Sequence, residues 1–227
     1  MRTFNLFLLT CLVFGFLSCQ EEEIYSCNEG VNNWIKENLK EVRTMTRSEW
    51  QNLDENVKRG CFVAFTQQQK IDFWKDKFNE ALTLEWTNEE AEHIKAVYRF
   101  VDEHPEYFDF STERTDEEIE VLELFVYEWT KKAEQQFQWS KKTIAGLIAT
   151  GNRLLDKNGT IRVNQTMVMT KSGGESKCEC STDSDWCNSR EDRRDWKCDS
   201  KASCTVSGGC GSLGLYDCNG MCKNTNI

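Results

Sequence analysis

One proline, two histidines and no CxxC pair occur in the 227 residues of this chain. The histidines, His93 and His104, stand far from any cysteine at ligand spacing and form no HExxH, which removes the usual histidine-based metal sites. GxSxG, phosphate-loop and Gly-rich dinucleotide patterns are missing as well, so no catalytic residue can be nominated and the chain reads as a non-enzyme without metal or cofactor. Glu89-Glu90 and Glu117-Glu118 sit at the starts of helical patterns, where acids complement the helix dipole. Basic excess is lacking too: 28 Lys and Arg face 38 Asp and Glu, a net charge of −10 that argues against nucleic acid as a partner. The longest uncharged apolar run, Phe4 to Phe16, is too short for a permanent membrane span.

That run follows Arg2 and ends in Phe16-Leu17-Ser18-Cys19, so it reads as an export signal. The ending resembles the lipobox of bacterial lipoproteins, which implies a lipid on Cys19, a membrane attachment through it, and a mature chain starting there. Gln20-Glu21-Glu22-Glu23 resembles the acidic signal that places some lipoproteins on the outer face of the outer membrane. Residues 1–19 are therefore the signal and 20–27 an acidic tether.

From 28 to 156 the apolar spacing is helical. Val31, Trp34, Ile35, Leu39 and Val42 share a stripe, as do Trp50, Leu53 and Val57, then Ile71, Trp74, Phe78 and Leu82. Ala91, Ile94, Tyr98 and Val101 follow, then Ile119, Leu122, Val126 and Trp129, and finally Ile144, Leu147, Ile148 and Leu155. Thr46…Glu49, Thr66…Gln69, Thr87…Glu90 and Thr115…Glu118 have capping-box form. Gly60 is expected to end the second helix, and His104-Pro105 the fourth. The fold class is mainly α, a bundle of about six helices. His93 is expected on a surface face and His104 at a helix end.

Residues 157–177 form a connector: NGTIRVNQTMVMT suggests a short hairpin or extended stretch, and KSGGESK has linker composition. Gly173-Gly174 within it marks a place where the tail would be cut free, although linker is the favoured reading.

Ten cysteines remain once Cys11 and Cys19 are set aside. In an oxidising compartment an even count fits full pairing. Cys27 and Cys61 flank the first two helices, and a bridge between them would close about 35 residues, contributing on the order of 3–4 kcal/mol. The other eight, Cys178, Cys180, Cys187, Cys198, Cys204, Cys210, Cys218 and Cys222, crowd residues 178–227. Without a CxxC or a histidine, crosslinks are preferred to metal, and eight cysteines allow 105 pairings. So small a segment needs staples, and its glycines supply turns. Asp183 and Asp185 read as turn caps rather than calcium ligands. Trp186, Trp196, Leu213, Leu215 and Tyr216 are the candidate contact residues.

C-E-C-S-T-D-S-D-W-C (178–187), Cys198, Cys204, Gly-Cys-Gly (209–211) and Tyr-Asp-Cys-Asn-Gly (216–220) are similar to fulvocin C, a small cysteine-rich bacteriocin. With lipobox, helical body and tail, the chain resembles the bacteriocin fulvocin C-related family of bacterial surface proteins. The resemblance implies an antibacterial, toxin-like module displayed on or released from a lipid-anchored carrier, acting on a competitor's envelope. The alternative is a non-toxic recognition module on a helical stalk. The charged strip Asn188 to Lys197 (NSREDRRDWK) departs from the pattern and resists entering lipid.

Overall fold

A computed structural model of the chain describes residues 23–163, 178–189 and 191–226. Cys19, residues 20–22 of the acidic tether and the linker with Gly173-Gly174 lie outside them. Eight α-helices are present among the described residues: α1 Glu29–Glu37, α2 Leu39–Val42, α3 Arg47–Trp50, α4 Glu55–Ala64, α5 Gln67–Ala81, α6 Asn88–Glu103, α7 Asp116–Gln136 and α8 Lys141–Ile148. The cysteine-rich segment adds β1 Trp196–Asp199, β2 Val206–Cys210, β3 Tyr216–Cys218 and β4 Met221–Asn224, paired antiparallel as β1 with β4 and β2 with β3. None of the described helices is long and apolar enough to cross a membrane.

Each expected capping box forms. Thr46, Thr66, Thr87 and Thr115 each accept from the third helical amide, and Glu49, Gln69, Glu90 and Glu118 accept from the cap's own amide. α6 stops at Glu103 because Pro105 follows, and His104 is its C-cap. The eight-for-six difference comes from two corners. Asn38 separates α1 from α2. The expected second helix splits at 51–54, and Trp50 clasps the corner by donating Nε1–H to the Lys58 carbonyl at 2.7 Å. The last stripe also ends early, since Leu155 lies past α8 and is exposed.

Gly60 does not end a helix; it lies inside α4. A Cβ there would fall 2.5 Å from Ile35 Cδ1 and 3.1 Å from the Tyr25 carbonyl, so the bare backbone is what lets α4 close on α1. Gly60→Ala should therefore destabilise, by about 1–3 kcal/mol, in chemical unfolding, despite alanine's better helix propensity. An unchanged or raised midpoint would refute that account.

His93 is not on a surface. α6 packs on α7 so that the imidazole stacks on Trp129, with centroids 4.7 Å apart and planes within 4°. His93 Nε2 bonds the Trp129 carbonyl at 3.0 Å while Trp129 Nε1 donates to the His93 carbonyl at 2.8 Å. Burial drives its pKa down to about 4, so the ring is neutral at pH 7.

The cysteine-rich segment is built into the body. Leu213, Leu215 and Tyr216 belong to the same buried cluster as Ile35, Phe62, Trp74, Ile94 and Trp129. A Cβ on Gly214 would strike Phe62 at 2.6 Å and one on Gly208 would strike Phe110 at 2.3 Å; both glycines have positive φ. Arg114 reaches from before α7 to donate to the Leu215 carbonyl at 2.7 Å. In the connector, Leu154 and Ile161 pair antiparallel around a turn, with Leu155 N donating to the Thr160 carbonyl; the expected extended stretch beyond 163 lies outside the described residues.

Candidate functional site

Four disulfides are present among the described residues: Cys27–Cys204, Cys180–Cys198, Cys187–Cys222 and Cys210–Cys218. The Cys27–Cys61 bridge is not among them. Cys61 lies on α4 in the large helical core, a thiol whose pKa burial raises to about 12. Cys27 clusters instead with Cys178, Val206, Cys210 and Cys218 where β2 docks, and so meets Cys204. Cys178 is a buried thiol outside the four bonds; burial raises its pKa and the nearby Arg59 charge opposes the rise. Eight of the ten expected cysteines are thus crosslinked, one of them across to the helical body. Sγ atoms of Cys180, Cys187 and Cys198 lie within 4.8 Å of one another, all engaged in disulfides and so not thiolate ligands.

The candidate contact residues divide. Leu213 and Leu215 are 1% and 0% exposed and Tyr216 is 8% exposed, so the first two are core and the third shows only an edge. Their apolar bodies pack against the helices because the segment has too little interior of its own. Trp196 is half-buried with the Arg193 guanidinium 4.5 Å over its ring. Trp186 is partly buried against the core and lines a groove.

That groove, about 620 Å³, runs between α7 and the loop 183–186. α7 is apolar on two sides. Leu122, Trp129 and Ala133 face the core, while Leu124 and Tyr127 remain 54% and 60% exposed. The opposing loop is tied down at each residue. Asp185 accepts from the Cys187 and Cys198 amides at 2.8 and 3.0 Å, the turn-capping role expected of it. Ser184 Oγ accepts from Ser212 N at 2.9 Å, and Trp186 Nε1 donates to Ser212 Oγ at 3.1 Å. The Trp186 ring therefore projects from a rigid base.

Acidic groups dominate the lining: Glu123, Glu134, Asp183 and Asp185 against Lys131. Burial, then the Glu123 charge, raises the Tyr216 phenol to about 12, with Arg114 opposing and Asp183 adding to it, so Tyr216 is a neutral donor or acceptor. Thr130 Oγ1 is buried there without a partner among the described residues. The aromatic faces attract cations already: Lys131 Nζ sits 5.3 Å from the Tyr127 centroid and Lys141 Nζ 5.6 Å from that of Trp186. Chemically, the groove can hold a positive charge over an aromatic face beside carboxylates. Sequence reasoning found Trp186 and Tyr216 but missed Tyr127, Glu123 and Lys131; the doubled apolar character of α7 was the available signal. Compared with protein-family models, curated proteins and solved structures, the chain matches none.

Proposed function

We propose that the chain is an exported binding protein, anchored by lipid on Cys19 to the outer membrane and recognising cationic groups of a surface partner through the groove between α7 and the cysteine-rich segment. One observation carries this reading: Cys204 is bonded to Cys27. A cut near Gly174 would leave 175–227 attached beside the tether, so the arrangement favours a tail that works in place over one set free. Antibacterial action by a displayed, uncut tail draws on the resemblance to fulvocin C alone. Leu213 and Leu215, two of the contact residues expected of a recognition module, pack inward, which leaves Trp186 and Tyr216 at the groove.

Fluorescence polarisation with a labelled Lys/Arg-rich peptide and its Asp/Glu-rich counterpart tests the reading on the oxidised protein. The basic peptide should bind and the acidic one should not. Affinity should fall at least about tenfold as salt rises from about 0.01 to 0.15 M, because the screening length shrinks from about 30 to 8 Å. Tyr127→Ala with Asp183→Asn should weaken binding by about tenfold again. Equal affinity for both peptides, or insensitivity to salt and to these changes, would sink it.

A further inference from the structure

A second cleft lies between α4, residues 149–152 and the β2–β3 turn, and holds about 130 Å³. Its walls include Trp50, Lys58, Arg59, Trp74 and Asn152, with Gly209, Gly211 and Gly214 at the edge. A neighbouring hollow of about 160 Å³ shares Arg59, Ala149, Gly209 and Gly211, so Arg59 stands where the two meet. The three edge glycines all have positive φ, and a Cβ on Gly209 would come within 3.2 Å of Arg59 Cγ. The turn is kept bare beside the guanidinium.

The donors here outnumber their acceptors. Arg59 donates Nη1–H to the Cys178 carbonyl at 3.1 Å, and forms no ion pair among the described residues; Glu179 and Glu55 act on it only through space. Trp74 is 2% exposed and its indole Nε1–H has no partner among the described residues. Such an orphaned buried donor is rare and unfavourable unless something outside the chain accepts from it. Lys58, 2% exposed, donates to Asn152 Oδ1 at 2.9 Å and pairs with Glu55, while Lys77 reaches the Asn152 backbone carbonyl. Lys58 and Arg59 thus line the cleft, with Glu55 in its wall and Glu179 nearby as the facing acids, while Lys77, faced by Glu80, approaches from outside the lining.

We infer that this cleft is a binding site for a small oxyanion group, a carboxylate or a phosphate, received by the Arg59 guanidinium and the Trp74 indole N–H. The planar fork of arginine matches both groups in two-point geometry. At about 30 Å³ per water the smaller hollow has room for roughly four waters, enough for one such group and little more. Trp50, Phe62 and Phe73 supply an apolar part of its wall, beside the polar Glu55, Lys58, Thr150 and Asn152; the apolar part limits water there and strengthens charge–dipole contacts.

The test titrates the full oxidised chain with sodium phosphate and with sodium acetate, against sodium chloride at equal ionic strength. Either oxyanion should raise the unfolding midpoint saturably, following ln(1 + [L]/Kd), and should shift at least one tryptophan indole N–H resonance in a ¹H–¹⁵N spectrum. The tighter binder of the two identifies the source. Trp74→Phe keeps the ring and removes the donor, and should weaken binding about tenfold; Arg59→Gln should weaken it at least as much. Saturable binding that ignores both changes overturns the assignment. If a variant fails to reach the native circular dichroism signal, the parent protein decides: no indole shift and no midpoint change with either anion also overturns it.

Discussion

Replacing Cys27 and Cys204 together by serine should lower the unfolding free energy by on the order of 4–5 kcal/mol, the largest loss among the four bonds. The pair is separated by 177 residues, against 18, 35 and 8 for the others. On the chain-entropy account a loop that long restricts the unfolded ensemble by about 5 kcal/mol, and the eight-residue loop of Cys210–Cys218 by about 2.5. Bridges inside the tail shorten the long path only slightly, since nearly all of it runs through the helices. Serine is close to cysteine in size and fits both places, Cys204 half-buried and Cys27 buried in its small cluster. Urea titration followed by tryptophan fluorescence reads the difference, with the Cys210/Cys218 double serine as the internal comparison. A Cys27/Cys204 variant within about 1 kcal/mol of the parent would show that the shared core alone holds the tail. A companion experiment places a specific protease site at Gly173-Gly174. Cut protein should run as one band without reductant and as two with it; two bands without reductant would remove the reason for preferring a tail that acts in place.

Much of the helical body was legible because its signals are local. A threonine and an acid or glutamine three residues on satisfy each other's amides whatever lies around them, and all four boxes formed. Stripes of spacing three and four found Ile35, Phe78, Ile94, Leu122 and Leu147, all nearly inaccessible. What stayed hidden depends on partners distant in sequence. Gly60 as a helix end and Gly60 as a contact point look alike until Ile35 is placed against it. His93 is amphipathic, and only Trp129, on another helix, makes burial favourable. Cys27 had nine possible partners among the ten cysteines, and its choice followed from which cluster its loop entered. Within the tail the two ends of the cysteine pattern meet in space. Cys180 bridges to Gly220, Thr182 N donates to Asn219 Oδ1 at 2.9 Å, and Ser184 bonds Ser212. The pattern therefore encodes one closed turn system. It does not encode the groove, whose other wall is supplied by α7.

Lys77→Met should flatten the pH dependence of stability near neutrality. Lys77 is 0% exposed, and burial, with the Arg47 charge adding to it and Glu80 opposing, brings its pKa down to about 7. Its Nζ reaches the Asn152 carbonyl. In the unfolded chain the same amine titrates near 10.4. A base with a depressed folded pKa favours folding fully only above its unfolded value, and that contribution is lost as pH falls toward the folded value. Between those limits the unfolded chain holds the extra proton, so stability rises with pH. Lys70, brought down to about 8 mainly by burial, acts in the same direction. From pH 7 to 8.5 the parent should gain on the order of 2 kcal/mol, roughly two-thirds of it from Lys77. Toward and above the top of that range Cys61, raised to about 12, opposes the trend, because the unfolded thiol ionises first. Methionine keeps the length of the side chain and removes the titration, so the variant should be more stable at pH 7 and should approach the parent as pH rises. Loss of the bond to Asn152 offsets part of the gain, by about 1 kcal/mol. Urea midpoints at pH 7, 7.5, 8 and 8.5 decide the matter. Equal slopes for parent and variant would mean that Lys77 keeps its proton inside the fold, with a compensating charge that the arrangement of Arg47, Glu80 and Asn152 does not provide.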